Sequence, residues 1–111
     1  MGRRTVAPSR GQIWLANVGL DEAKRFVIVS NNERNRRLGD VLGARMTTAR
    51  KPELPSIVAF APGEVGRSST SVLADDVWPL GTLDLVRVVG SLAPRQMSRV
   101  DAALRIALDL D

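Results

Sequence analysis

Lys24-Arg25 and Thr47-Thr48 are the polar pairs in this sequence best placed to do chemistry. Each borders a segment of strand length: the apolar run 26–29 follows the first pair, and 41–46, apolar apart from Arg45, precedes the second. Two strand ends in one small sheet can bring a guanidinium and a threonine hydroxyl to the same phosphate. A guanidinium grips phosphate oxygens through two parallel hydrogen bonds and stays charged at physiological pH. The hydroxyl adds a neutral donor. A plainer account of the same residues is a surface Arg at a strand edge beside a Thr pair bonded to local backbone. Spacing alone leaves both open.

The missing residue types narrow the chemistry further. The chain has no histidine and no cysteine, so any catalytic group is an Arg, Lys, Asp, Glu, Ser or Thr. There is no Gly-rich phosphate loop, metal-ligand cluster or nucleophile elbow, and no cofactor is expected. Two carboxylate pairs remain, Asp21-Glu22 and Asp75-Asp76. Neighbours on a strand face opposite ways, so Asp75 and Asp76 do not form an acid/base pair. On spacing, both pairs are solvated charges at loop or strand ends. A formal charge of +4 and a pI near 11 lean toward a polyanionic partner, although an Arg-rich composition alone would give the same balance.

At 111 residues the sequence fits one domain with one modest core. Aromatics are 4% of residues, so aliphatic side chains must fill that core. The absence of cysteine excludes a disulfide scaffold and suits the cytoplasm. No apolar run approaches the roughly 18–20 residues that span a bilayer, so no membrane partner is expected.

Residues 1–10 read as a flexible basic arm and 11–111 as the domain. Residues 12–17 alternate polar and apolar, as a half-buried strand does. Further strands are expected at 26–29, 41–46, 57–60, 71–78 and 83–89, the last two separated at Pro79-Leu80-Gly81. Residues 31–39 carry turn formers and charge without an apolar face, and read as a loop. Pro94 suits the first position of a helix whose Met97, Val100, Leu104, Ala107 and Leu108 recur at spacings of three and four. The class is α+β, mostly β: a small curled sheet or barrel of antiparallel strands with a C-terminal helix. Trp14, inside the first strand, is expected in the core.

Arg10-Gly11-Gln12-Ile13-Trp14-Leu15-Ala16, Lys24-Arg25-Phe26-Val27-Ile28-Val29-Ser30, Ala44-Arg45-Met46-Thr47-Thr48 and Ser71-Val72-Leu73-Ala74-Asp75-Asp76-Val77 follow one another in a telling order. Gly90-Ser91-Leu92-Ala93-Pro94 then leads into Val100-Asp101-Ala102-Ala103-Leu104. Together these segments resemble the MazF/PemK toxin endoribonucleases of the CcdB/MazF-like group, over about residues 10–110. Phe26 stands where that family usually has Pro, and Asp76 where it usually has Gln.

The resemblance implies an SH3-like barrel with a C-terminal helix. It also implies a homodimeric toxin of a type II toxin–antitoxin pair that cuts single-stranded RNA selectively and without metal. Arg25 would be the catalytic Arg and Thr47 its partner. Lys24, Thr48, Asp75, Asp76 and Trp78 would contact RNA, and Glu22 would assist proton transfer. Trp78 could stack on a base or pack in the core. The 2′-OH would attack its own phosphate, so DNA should resist. The cognate antitoxin would present an acidic, partly disordered tail that folds over the basic groove. Two alternatives share the fold. One is a non-catalytic gyrase poison of the CcdB type, which relies on a Trp near its end where this sequence reads Ala107-Leu108-Asp109-Leu110-Asp111. The other is an inactive RNA-binding or antitoxin-binding relative.

Overall fold

The computed structural model describes residues 7–19 and 22–111, so the expectations for 1–6 and for Asp21 lie outside the described residues. Six strands and two helices follow in chain order: β1 (Gln12–Ala16), β2 (Lys24–Ile28), α1 (Asn32–Arg37), β3 (Asp40–Thr47), β4 (Ile57–Phe60), β5 (Thr70–Gly81), β6 (Leu85–Ser91) and α2 (Pro94–Ala107). All pairings are antiparallel, in the order β4-β5-β3-β2-β1-β6. The sheet is the expected mostly-β arrangement, but as a hydrogen-bonded ladder it stays open, with β4 and β6 as its edges.

Burial on both faces explains why β2 reads as continuous apolar sequence rather than alternation: Phe26, Val27 and Ile28 are all fully buried. Val27 belongs to the face packed with Ile13, Ala44, Met46 and the α2 residues Met97, Val100 and Ala103. Phe26 and Ile28 belong to the opposite face, with Ala16, Val41 and Leu80, against which Trp14 and Trp78 pack half-buried. Trp14 thus borders the second core, its indole N–H donating to Gln12 Oε1 at 3.0 Å.

A bulge bends β5 where the site will form. Ala44 stands opposite Val77, yet the next residue, Arg45, stands opposite Leu73. Residues 74–76 therefore have no counterpart on β3, and such an insertion turns a strand and sharpens its twist. Beyond the bulge β5 runs straight through Pro79 to Gly81, where a break was expected. Leu42, opposite Pro79, directs its N–H to Ser30 Oγ and its carbonyl to Val29 N, both at 2.9 Å and both toward β2. Pro79 faces a position that asks for no donor, so its missing N–H costs nothing. The chain reverses instead at 81–84, closed by Gly81 N to Asp84 Oδ2 at 2.8 Å and Asp84 N to Gly81 O at 2.9 Å.

Residues 31–39 contain α1 rather than a loop alone. Asn31 caps it by accepting from Arg34 N at 2.8 Å, and the helix docks through a buried polar residue, Asn35, whose side chain bonds Ser30. Helix α2 begins at Pro94 as expected. Gln96 accepts from Ala93 N and donates to Glu64 O, each at 2.8 Å, tying the helix start to the 61–69 loop. Ser9 and Arg10 are already tethered: Ser9 N donates to Gln12 Oε1, and Arg10 donates to Val29 O and pairs with Asp101 of α2.

Candidate active site

Arg25 is the second residue of β2. It stands opposite Leu15 of β1, on the same side of the sheet as Val27. Phe26 pairs with Arg45 of β3, so the antiparallel register runs Arg25 alongside Met46 and toward the Thr47 end of that strand. Rigid backbone on two neighbouring strands thereby holds the guanidinium and the hydroxyls at one end of the sheet.

They meet in a cleft of about 250 Å³ whose lining includes Glu22, Lys24, Arg25, Arg45, Thr47 and Thr48. A second, wider cleft of about 510 Å³ shares Arg25, Thr48 and Thr70 and extends to Arg67 and Ser68 of the 61–69 loop. Arg25 lines both clefts. It is exposed, and among the described residues its side chain makes no hydrogen bond or ion pair. By contrast, Arg10, Arg34, Arg36, Arg37 and Arg99 all bond carboxylates or carbonyls. Thr47 Oγ1 accepts from Ala49 N at 3.1 Å, which leaves its own proton to donate elsewhere. Lys24 Nζ lies 3.1 Å from Glu22 Oε1, and the Glu22 side chain is 78% exposed. Three cations and one carboxylate line the smaller cleft, which favours an anion.

Asp75, Asp76 and Trp78 do not line either cleft. Asp75 is exposed in the β5 bulge, 3.4 Å from Ser56 Oγ. Asp76 Oδ1 accepts from the Trp78 indole N–H at 2.7 Å, and Oδ2 faces Arg45 at 3.7 Å. Among the described residues no three His, Cys, Asp or Glu side chains gather as a metal site.

Two polar residues lining the smaller cleft were not singled out from sequence as site residues. Thr70, the first residue of β5, donates to Thr47 O at 3.1 Å and fixes the end of β3 against the start of β5. Nothing local in the sequence marks it. Arg45 did carry a signal: it is the lone charge inside the run Val41-Leu42-Gly43-Ala44-Arg45-Met46.

Comparison with known proteins gives the same direction. Residues 9–108 match the PemK-like, MazF-like toxins of type II toxin–antitoxin systems. The chain is 38% identical over 104 residues to "Endoribonuclease MazF1" of Mycobacterium bovis and to "Endoribonuclease MazF4" of Mycobacterium tuberculosis, covering 94% of this chain and 95% of each relative. Among solved structures, an endoribonuclease in complex with its cognate antitoxin from a mycobacterial species superposes with a TM-score of 0.83 at 38% identity, covering 95% of this chain and 98% of that one. No described helix is long and apolar enough to cross a membrane. The chain belongs to the PemK-like, MazF-like toxin family of type II toxin–antitoxin systems.

Proposed function

We propose that the Arg25 cleft is the catalytic centre of a metal-independent endoribonuclease that cuts single-stranded RNA selectively. As a MazF-type toxin the protein is an endoribonuclease with an antitoxin as its natural partner. The observation that carries the assignment of the centre is the uncommitted Arg25 guanidinium beside Thr47 and Thr48 in a cation-lined cleft.

In this mechanism the RNA 2′-oxygen forms a bond to the adjacent phosphorus and the bond from phosphorus to the 5′-oxygen breaks. The products are a 2′,3′-cyclic phosphate and a 5′-hydroxyl. Charge gathers on the non-bridging oxygens in the transition state, and donors fixed in advance at that position are often the largest catalytic term. Arg25 supplies a two-pronged cationic donor and Thr47 a neutral one. Lys24 and Thr48 hold the flanking backbone, while Trp78 and Asp75 contact nucleotides beyond the cleft. A proton must leave the 2′-hydroxyl and another must reach the 5′-oxygen. Glu22 is the nearby carboxylate assigned to assist, and a charged guanidinium is a poor base. The protein acts as a homodimer, and the antitoxin's acidic tail competes with RNA for the same cations.

Arg25→Ala should lower kcat on single-stranded RNA by about 10²–10³ or more, the usual loss when a transition-state donor is removed. Its circular dichroism and melting should match the parent, because Arg25 is exposed and its side chain makes no hydrogen bond or ion pair among the described residues. The parent should cut in the presence of chelator and leave the matching DNA intact. Undiminished cleavage by Arg25→Ala would overturn the assignment.

A further inference from the structure

We infer that Arg45 is a second substrate-binding cation of the cleft, and that Asp76 acts as its positioning residue with Trp78 behind it. The inference rests on the RNA-cleaving reading above and deepens it by naming where a second backbone phosphate sits.

Arg45 lines the same cleft as Arg25 and Thr47. Its side chain is 34% exposed, so it reaches solvent from a largely packed stem. Its one ion pair among the described residues is with Asp76, and at 3.7 Å that contact is electrostatic rather than a hydrogen bond. Its Nε is buried without a partner. Nε lies out of a ligand's reach, but among the described residues the terminal amino groups make no hydrogen bond and are held only by charge, so they are left to meet an oxyanion.

Asp76 is itself fixed. The Trp78 indole N–H grips Oδ1 at 2.7 Å, and Trp78 is anchored against the second core beside Leu80. The result is a chain running from core to cleft: Trp78, Asp76, Arg45, ligand. The register makes it: Ala44 pairs with Val77, which sets Asp76 beside Arg45, and the bulge at 74–76 then takes Asp76 out of the backbone ladder with β3. Adjacent phosphates of an extended strand need separate cations, and this end of the sheet offers Arg25 from the Val27 face and Arg45 from the Phe26 face, so a strand crossing it meets one on each side.

The test uses the purified full chain. Cleavage of a fluorogenic single-stranded RNA is measured across salt concentrations, and binding of an uncleavable 2′-deoxy analogue of the same oligonucleotide is measured by anisotropy. Arg45→Ala should raise KM and the analogue's Kd about tenfold, the loss of one charge-assisted contact, with kcat within about twofold. Its log Kd against log salt slope should fall by about 0.7, one phosphate's worth on a single strand. Arg45→Lys should recover part of the affinity, and Arg45→Gln keeps the stem if Ala disturbs folding. Asp76→Asn should raise Kd about threefold alone, and have no further effect in the Arg45→Ala background, since partners in one chain are not additive. Unchanged Kd and salt slope in both Arg45→Ala and Arg45→Gln would overturn the inference. So would an Asp76→Asn effect that persists undiminished without Arg45. The analogue reports binding whether or not cleavage occurs, so loss of the cleavage reading and loss of the Arg45 site give different results.

Discussion

Gly43→Ala is the sharpest test of how the core holds the site. Gly43 lies in mid-β3 with an ordinary backbone conformation, so its lack of a side chain is a matter of space. A Cβ there would meet Leu80 Cδ1 at 2.7 Å and Phe26 Cβ at 2.9 Å, with Phe26 Cδ2 at 3.5 Å. The Leu80 methyl is the end of a flexible side chain and can turn aside. Phe26 Cβ is bonded directly to β2 backbone and cannot move without the strand. Both side chains are fully buried, so no solvent-side void absorbs the displacement. Overpacking of this kind costs about 1–3 kcal/mol. For 111 residues, an unfolding entropy of about 2.1 cal/mol/K per residue converts that to a loss of roughly 4–13 °C in Tm. The assay is urea and thermal unfolding of parent and variant at equal protein concentration, because association contributes to apparent stability. Activity should fall well below the melting range too, since β2 carries Arg25 next to Phe26 and misplacement by about 1 Å can cost about 10²-fold. In a Leu80→Val background the penalty should shrink but not vanish, because the Phe26 contact remains. A Gly43→Ala protein melting within about 1 °C of the parent would refute the packing argument, for which about 4 °C is the minimum.

Other perturbations probe single links. Phe26→Ala empties a fully buried site and should cost about 3–5 kcal/mol in denaturant unfolding; a loss under about 1 kcal/mol would mean the surrounding side chains collapse into the space. Ser30→Ala removes the acceptor of Leu42 N and a partner of Asn35, and should cost about 1–3 kcal/mol, with faster hydrogen exchange at the Leu42 amide as the local sign. Gly66→Ala meets no atom within 4 Å, but at φ +101° it strains the backbone. It should lower stability by about 1 kcal/mol or more and loosen the 61–69 loop, read as proteolytic cutting there; wild-type stability would show that the loop relaxes freely.

The sequence was most legible where one periodicity dominated. Residues 57–60 and the start of α2 at Pro94 fall where they were expected, because an apolar run or a Pro beside a three-and-four pattern has one simple reading. It misled where tertiary partners replaced local signals. Helix α1 has no apolar face to detect: Asn35 docks it through Ser30, and only the Asn31 cap, Glu33 in the first turn and the terminal arginines mark it. Pro79 looked like a break because a Pro costs a ladder bond, yet Leu42 opposite spends both its backbone groups on the β2 side. The site was legible as to residue type and less so as to grouping. Arg25, Thr47, Thr48, Lys24 and Glu22 share a cleft, and Asp76 and Trp78 approach it only through Arg45. That grouping depends on which residue of β5 stands opposite Ala44, a long-range register that no local pattern in 70–81 announces.

Phe26 bears on how Arg25 is aimed. Where a Pro would fix the backbone beside Arg25 by its own ring, Phe26 does so by packing. It fills the second core opposite Trp14 and Arg45, in space that Gly43 leaves free, while Val27 anchors the other face. A ring constraint survives local loosening of the fold, whereas a packing constraint lasts only as long as both cores do. Arg25 is therefore tied to the integrity of the β2–β3 pair. Variants that weaken that pair should lose cleavage before they lose the helix α2 signal in circular dichroism, and a variant that melts the pair yet keeps full activity would separate Arg25 from the packing around Phe26.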